Sequence, residues 1–140
     1  MNTGTYFEDL QIGQTASLGK TITEADILLY AAVSTDTNPV HLNDEAARNS
    51  VFGERIAHGM LSAGLISAVL GTRLPGPGTI YMGQTLRFAA PVKIGATVNA
   101  TVEVTKLNPE KKRATLKTTC TVDNEVVIEG EAYVQVPSRG

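Results

Sequence analysis

The sequence of 140 residues contains a single cysteine, Cys120, and no tryptophan. One thiol excludes an internal disulfide and any metal site that is built from several cysteines. A free thiol is compatible with a reducing compartment, where structural disulfides are rare. At this length one domain can bury a substantial hydrophobic core without cross-links, so we expect a single domain.

An excess of one charge and long apolar runs are also missing. The 12 basic and 14 acidic residues give a net charge of -2, which argues against a nucleic-acid partner. The longest apolar stretch, residues 60–70, is too short to span a bilayer. The first ten residues have neither a basic start nor an apolar run, so they are not typical of a secretory signal. These absences favour a cytoplasmic protein that does not bind membranes.

The segment 34–41, with the sequence S-T-D-T-N-P-V-H, places an acid and a base five positions apart. Pro39 has no amide hydrogen and disfavours helical angles at Asn38, so the segment is predicted to turn rather than form a regular helix. Asp36 and His41 would then lie on the two limbs of the turn, with converging side chains. Such a pair suits general acid–base catalysis near neutral pH, although the same residue types are also common in purely structural turns.

Three helices are predicted in the first half of the chain. Thr23 is expected to cap a helix over residues 24–33, and Asn43 a short helix that ends at residue 49. The segment 58–71 has no charged residue, which predicts a helix about 20 Å long that is buried on every side. The expected apolar face of the first helix consists of Ile27, Leu28, Tyr30, Ala31 and Val33.

The second half of the chain alternates between apolar and polar residues, as strands do. Short breaks between the alternating segments indicate an antiparallel sheet, and the pair Asp123-Asn124 is a strong hairpin signal. The fold class is therefore α+β, with a meander of four strands around the buried helix and an earlier strand near residues 18–22 that completes the sheet. The four predicted strands cover residues 79–88, 97–107, 113–122 and 126–136.

The pattern S-x-D-x-N-P-V-H resembles the hydratase 2 signature of the (R)-specific enoyl-CoA hydratases and MaoC-like dehydratases. The acidic and alanine-rich residues 42–47 and the H-G-M-L sequence at 58–61 extend the resemblance. Thr35 is a departure, since the family usually has Gly or an acidic residue there. The resemblance implies one MaoC-like hot-dog domain over residues 1–140, an antiparallel sheet wrapped around a central helix, and assembly into a homodimer.

The implied reaction is the reversible hydration of trans-2-enoyl-CoA to (R)-3-hydroxyacyl-CoA, which feeds polyhydroxyalkanoate synthesis or fatty-acid metabolism. The substrate is an acyl-CoA thioester, and neither a cofactor nor a metal is expected. The resemblance assigns Asp36 as general base and His41 as the orienting and proton-donating group, with roles that a coupled pair can exchange. It also implies that the Gly59 amide faces the thioester oxygen and that Ser67 contacts the substrate. His58 is expected to pack or cap the helix start.

A stripe of mostly small residues runs along the predicted central helix and indicates that something packs closely there. A strand backbone, a partner subunit or a groove for an acyl chain would each explain it. The residues of this small-residue stripe are Met60, Gly64, Ser67, Ala68 and Gly71.

Three other functions are compatible with these residues. The hot-dog fold also hosts acyl-CoA thioesterases, and a fold alone does not decide function. Asp36, His41 and His58 would make a two-histidine, one-carboxylate metal site. A non-catalytic acyl-CoA-binding module would keep the fold without the chemistry.

Overall fold

The computed structural model describes residues 4–140. After a short 3-10 helix, Phe7–Asp9, the first half contains β1 (Thr15–Thr21), α1 (Glu24–Ser34), α2 (Pro39–Leu42), α3 (Asp44–Arg48) and α4 (Gly59–Thr72). The second half contains β2 (Ile80–Gln84), β3 (Arg87–Phe88), β4 (Thr97–Asn108), β5 (Arg113–Val122) and β6 (Glu125–Gln135). Within the described residues, no helix has the length and hydrophobicity needed to traverse a lipid bilayer.

The strands form one antiparallel sheet in the order β1-β4-β5-β6-β2, with β3 also paired to β6. The sheet packs against α4 through β1, β4 and β5, which confirms the predicted hot-dog fold. The hairpin between β5 and β6 is also confirmed. Asp123 and Asn124 have φ angles of 50° and 66°, the left-handed conformation that a two-residue turn of this kind requires.

The prediction of one continuous first strand in a four-strand meander is wrong. The segment breaks into β2 and β3, and both pair with β6 instead of β4. At the break the Thr85 carbonyl oxygen approaches Gly130 so closely that a Cβ there would lie 1.8 Å from it. Only glycine permits this approach. Strand β2 pairs with β6 and forms one edge of the described sheet.

The core lies between the sheet and the inner face of α4. Alternate residues of β4 point inward and are fully buried, as the period-two pattern predicted. The buried residues of α4 are Ser62, Ala63, Ile66, Val69 and Leu70.

The opposite face of α4 is exposed, so the prediction of a helix buried on every side is wrong for the single chain. Met60, Gly64, Ser67 and Gly71 of the small-residue stripe face outward. A Cβ added at Gly64 or Gly71 would meet no atom within 4 Å. No strand backbone among residues 4–140 therefore covers these two glycines.

Helix α1 begins as predicted. The Thr23 hydroxyl accepts a hydrogen bond from the Asp26 amide at 3.2 Å, and the Asp26 carboxylate accepts one from the Thr23 amide at 2.9 Å. The Thr23 amide and the Lys20 ammonium lower the pKa of Asp26. The predicted apolar face is only partly correct, because Ile27 and Ala31 are buried whereas Leu28 and Val33 are exposed. Asn43 caps α3 as predicted, through a 2.9 Å bond from the Ala46 amide.

Candidate active site

The turn that carries Asp36 connects α1 to α2. Helix α1 ends at Ser34, and the C-cap residue Thr35 has a left-handed φ of 64°. The Asp36 carboxylate then accepts a hydrogen bond from the Asn38 amide at 3.2 Å, through Oδ1. The prediction that this segment contains no regular helix is only partly correct, because Pro39 begins a four-residue helix that contains His41. Proline is favourable at this first position because the amide hydrogen that it lacks has no partner within a helix.

His41 is buried, with 8% of its surface exposed. Its Nδ1 lies 2.8 Å from the carbonyl oxygen of Ile56. Because a carbonyl oxygen can only accept, Nδ1 carries the hydrogen and Nε2 of the neutral ring is left as the acceptor. Arg55 supports this arrangement, since its Nε donates to the His41 carbonyl at 2.8 Å while its guanidinium pairs with Glu24 at 2.9 Å.

His58 lies directly behind this pair and is 2% exposed. Its Nε2 donates to the backbone carbonyl of Asp36 at 2.9 Å. Its ring stacks on His41 with a centroid separation of 3.9 Å and an interplanar angle of 28°. Tyr30 contacts the ring as well, at 4.7 Å between centroids. His58 precedes the first residue of α4, but its side chain makes no capping hydrogen bond.

Asp36 and His41 converge as the sequence predicted. One carboxylate oxygen of Asp36 and one ring nitrogen of each histidine lie within 4.8 Å of one another. These groups are also possible ligands of iron or zinc. A metal-binding histidine commonly donates its other ring N–H to a carbonyl, and one nitrogen of each ring does so here.

The pair opens onto a cavity of about 460 Å³. Within residues 4–140, Asp36, His41 and His58 are the only ionisable residues that line it, and apart from Gly59 the rest of this lining is apolar. Gly59 is the first residue of α4, so its amide has no partner within the helix. The remaining lining residues are Phe52, Ile56, Ala57, Met60, Phe88, Ala89, Ala90, Pro91, Val92 and Ile128.

The family model described as "MaoC like domain" matches residues 9–127 of this chain. The chain belongs to the MaoC-like family. Two relatives agree with this assignment over almost the whole MaoC-like chain. The (R)-specific enoyl-CoA hydratase of Rhodospirillum rubrum is 67% identical and covers 96% of this chain and 94% of its own length. The 3-hydroxybutyryl-CoA dehydratase of Methylorubrum extorquens is 54% identical and covers 96% of this chain and 85% of its own length.

A solved structure shows that the MaoC-like fold of the chain is shared in detail. The unliganded R-hydratase PhaJ1 from Pseudomonas aeruginosa superposes with a TM-score of 0.92 and 46% sequence identity. The match covers 97% of this chain and 88% of that chain. The sheet and the central helix that begins at Gly59 therefore have a counterpart of known structure.

Ser67 is the predicted site residue that the structure does not bring into the cavity of this MaoC-like chain. It lies on the exposed face of α4 and is absent from the cavity lining. Two turns of helix separate it from Gly59 at the start of α4. Its predicted contact with substrate stays a prediction, and it does not form part of the cavity of the single chain.

Two residues of the MaoC-like site were not identified from the sequence. Ile56 contributes a backbone carbonyl that fixes the His41 tautomer, and residue type says nothing about such a role. Phe88 was assigned only to the end of a strand, but its ring lines the cavity and packs onto Gly59. Neither contact has a sequence signal, since each depends on how distant segments meet.

Proposed function

We propose that this protein catalyses the reversible hydration of trans-2-enoyl-CoA thioesters to (R)-3-hydroxyacyl-CoA. The observation that carries the proposal is the meeting of Asp36 and His41 at one cavity, beside the amide that opens α4. The reaction needs an activated water, a proton for C2 and a hydrogen-bond donor for the thioester oxygen. Each need has a candidate in this site, and the similarity to the R. rubrum hydratase supports the same reaction.

The attacking water would bind between Asp36 and His41. Oδ1 of Asp36 already accepts from the Asn38 amide, which leaves Oδ2 to accept a hydrogen from water. Because Nδ1 of His41 donates to Ile56, Nε2 is the only ring nitrogen that can exchange protons with water or substrate. The carboxylate takes a proton as the water oxygen bonds to C3, a role that positioned acid–base groups can fill.

The thioester oxygen would lie against the amide of Gly59. When water adds to C3, electrons of the C2–C3 double bond move toward the thioester and place negative charge on its oxygen. A free amide at a helix N-terminus donates a hydrogen bond to that charge, and the helix dipole adds to the effect. Helix α4 has 14 residues, so this dipole is well developed.

The protons balance within the pair. Hydration removes one proton from water and adds one to C2, so no external acid is consumed. With Asp36 as the base, the proton taken from water passes to the free Nε2 of His41, and this nitrogen then delivers it to C2, so that the carboxylate and the ring return to their starting state. The apolar remainder of the cavity lining suits an acyl chain. The proposed reaction needs no cofactor beyond the coenzyme A of the substrate.

The protein is further proposed to act as a homodimer in the cytoplasm. The edge strand β2 carries exposed Ile80, Tyr81 and Met82, and it is unpaired on one side within the described chain. The small-residue stripe of α4 is exposed as well. Unpaired edges and exposed apolar surface are commonly covered by a partner chain, and a second copy seated on the stripe would cover Ser67. A cytoplasmic location is supported by the acyl-CoA substrate and by the free thiol of Cys120.

The decisive experiment is hydration of crotonyl-CoA with chiral analysis of the product. We expect loss of the enoyl absorbance, formation of (R)-3-hydroxybutyryl-CoA and no release of free thiol. Activity should be insensitive to a metal chelator. Formation of the (S) product, or no hydration, would refute the proposal, and thiol release in its place would favour the thioesterase reaction.

A further inference from the structure

His58 lies at the centre of the site, but the proposed chemistry assigns it no step. It was expected to pack or to cap the start of α4. His58 is the N-cap residue of α4, but its side chain makes no capping hydrogen bond. Its ring instead contacts both members of the acid–base pair, through a hydrogen bond to Asp36 and a stack on His41.

The hydrogen bond to Asp36 anchors a segment that has little other support. Thr35, Asp36 and Asn38 are exposed, and the turn begins with a left-handed residue. The remaining hydrogen bonds of Asp36 are local, from its own amide to the Ser34 hydroxyl and from the Asn38 amide to its carboxylate. Among residues 4–140, His58 is the only group outside the turn that hydrogen-bonds Asp36. It therefore ties the turn to the start of α4.

The stack fixes the second member of the pair. The His41 ring is held at one edge by the Ile56 carbonyl and on one face by His58. Tyr30 contacts His58 and so supports this stack. The buried side chain of His58 thus restrains both the backbone that carries the Asp36 carboxylate and the orientation of the His41 ring.

The two ring nitrogens of His58 show that packing alone does not explain why a histidine occupies this position. Nδ1 of His58 is buried and has no hydrogen-bond partner among the described residues. A buried polar atom without a partner costs stability, and an apolar ring of similar shape would avoid that cost. What a histidine provides here, and an apolar ring does not, is the Nε2–H that reaches Asp36.

We infer that His58 is a positioning residue that holds Asp36 and His41 in the relative orientation needed for proton transfer. Its Nε2–H fixes the Asp36 turn, and its ring fixes the plane of His41. Because Nδ1 is shielded, the side chain acts through these two groups rather than on the substrate. The inference rests on the proposed hydratase activity for its kinetic consequence, but not for its geometric one.

The geometric consequence is tested by imidazole ¹⁵N NMR on the wild-type protein. The chain has only two histidines, so the spectrum contains two rings. We expect His58 in the Nε2–H tautomer and His41 in the Nδ1–H tautomer. His58 in the Nδ1–H tautomer would overturn the inference, because it could not then donate to Asp36. This result does not depend on whether the protein hydrates crotonyl-CoA.

The kinetic consequence is tested by two variants that separate the contacts. His58→Phe keeps a ring against His41 but removes the donor to Asp36, whereas His58→Gln keeps a donor amide and removes the stack. We expect His58→Phe to lower kcat at least about tenfold with little change in KM and a Tm near that of the wild type. His58→Gln should recover part of the lost kcat.

Two outcomes would contradict the positioning role. One is wild-type turnover in His58→Phe, and the other is a loss of activity in both variants that merely follows the loss of folded protein measured by Tm. If the wild type does not hydrate crotonyl-CoA, the proposed function fails, whereas the tautomer measurement still decides the position of His58.

Discussion

The Nδ1–H of His41 donates to the carbonyl oxygen of Ile56 across 2.8 Å. This bond fixes the tautomer of a buried imidazole, so that Nε2 is the nitrogen available for proton exchange. Ile56 lies two residues before the N-cap of α4, and the same short segment therefore also positions the amide of Gly59. The acid–base pair and the donor for the thioester oxygen share one structural support.

Removal of either acid–base group should abolish most of the activity. Asp36→Asn and His41→Ala are each expected to lower turnover of crotonyl-CoA at least about a hundredfold, the usual contribution of such groups. Asp36→Asn should leave Tm nearly unchanged, because Asp36 is exposed. Glu45→Gln, an exposed acid on α3 outside the cavity, is the matched control. Steady-state rates near wild type in either site variant would contradict the mechanism.

Gly59 should tolerate no side chain while Phe88 is present. A Cβ at position 59 would lie 2.5 Å from a ring carbon of Phe88, so Gly59→Ala should displace this half-exposed ring and lower the free energy of unfolding by about 1 kcal/mol. The same displacement should lower turnover at least about tenfold. Denaturant unfolding and crotonyl-CoA hydration measure the two effects.

The double variant Gly59→Ala/Phe88→Ala identifies the source of that loss. If the Phe88 ring is responsible, adding Gly59→Ala to Phe88→Ala costs little further stability. The double-mutant cycle then shows a coupling free energy of at least about 0.5 kcal/mol. Strictly additive losses would mean that the two residues do not oppose each other.

The exposed stripe of α4 should be an interface between two copies of the chain. Gly64 has open space around it within one chain, so Gly64→Arg would be harmless in a monomer but would obstruct a partner. We expect light scattering to give a dimeric mass for the wild type and a monomeric mass for this variant at micromolar concentration. Ala46→Arg, at an exposed position on α3, should remain dimeric. A monomeric wild type would refute the proposed homodimer.

Cys120 should be inert in the folded protein and should make stability fall at high pH. Burial raises the pKa of this thiol to about 11, from an ordinary value of 9.0. Between these two values the unfolded chain loses the proton while the folded one retains it, so the unfolding free energy decreases as the pH rises. The slope for one such group is at most about 1.4 kcal/mol per pH unit.

Cys120→Ala isolates this contribution. The difference in stability between wild type and variant should shrink from pH 9 to pH 11, and the native thiol should react with a disulfide reagent only after unfolding. Burial also raises the pKa of Tyr81, but that contribution is common to both proteins and cancels. Rapid labelling of the native protein at pH 8 would contradict the burial of Cys120.

The sequence by itself determined the elements whose causes are local. The Thr23 cap, the Asp123-Asn124 hairpin and the period-two pattern of β4 depend on neighbouring residues, and all three were predicted correctly. The motif around Pro39 also identified Asp36 and His41, because a proline turn brings residues five positions apart together. These features need no knowledge of what packs against them.

Only the tertiary structure decided how the segments meet. In the tertiary structure, β2 lies at the far edge of the sheet, one face of α4 is exposed, and Ser67 lies outside the cavity. The sequence predicted none of these three features. The tertiary structure also brought the Ile56 carbonyl to His41, Phe88 to Gly59 and His58 to Asp36. Each of these contacts joins residues distant in sequence, through backbone atoms or packing that residue type does not encode. Local propensity cannot specify such contacts, since they depend on how the sheet packs against α4.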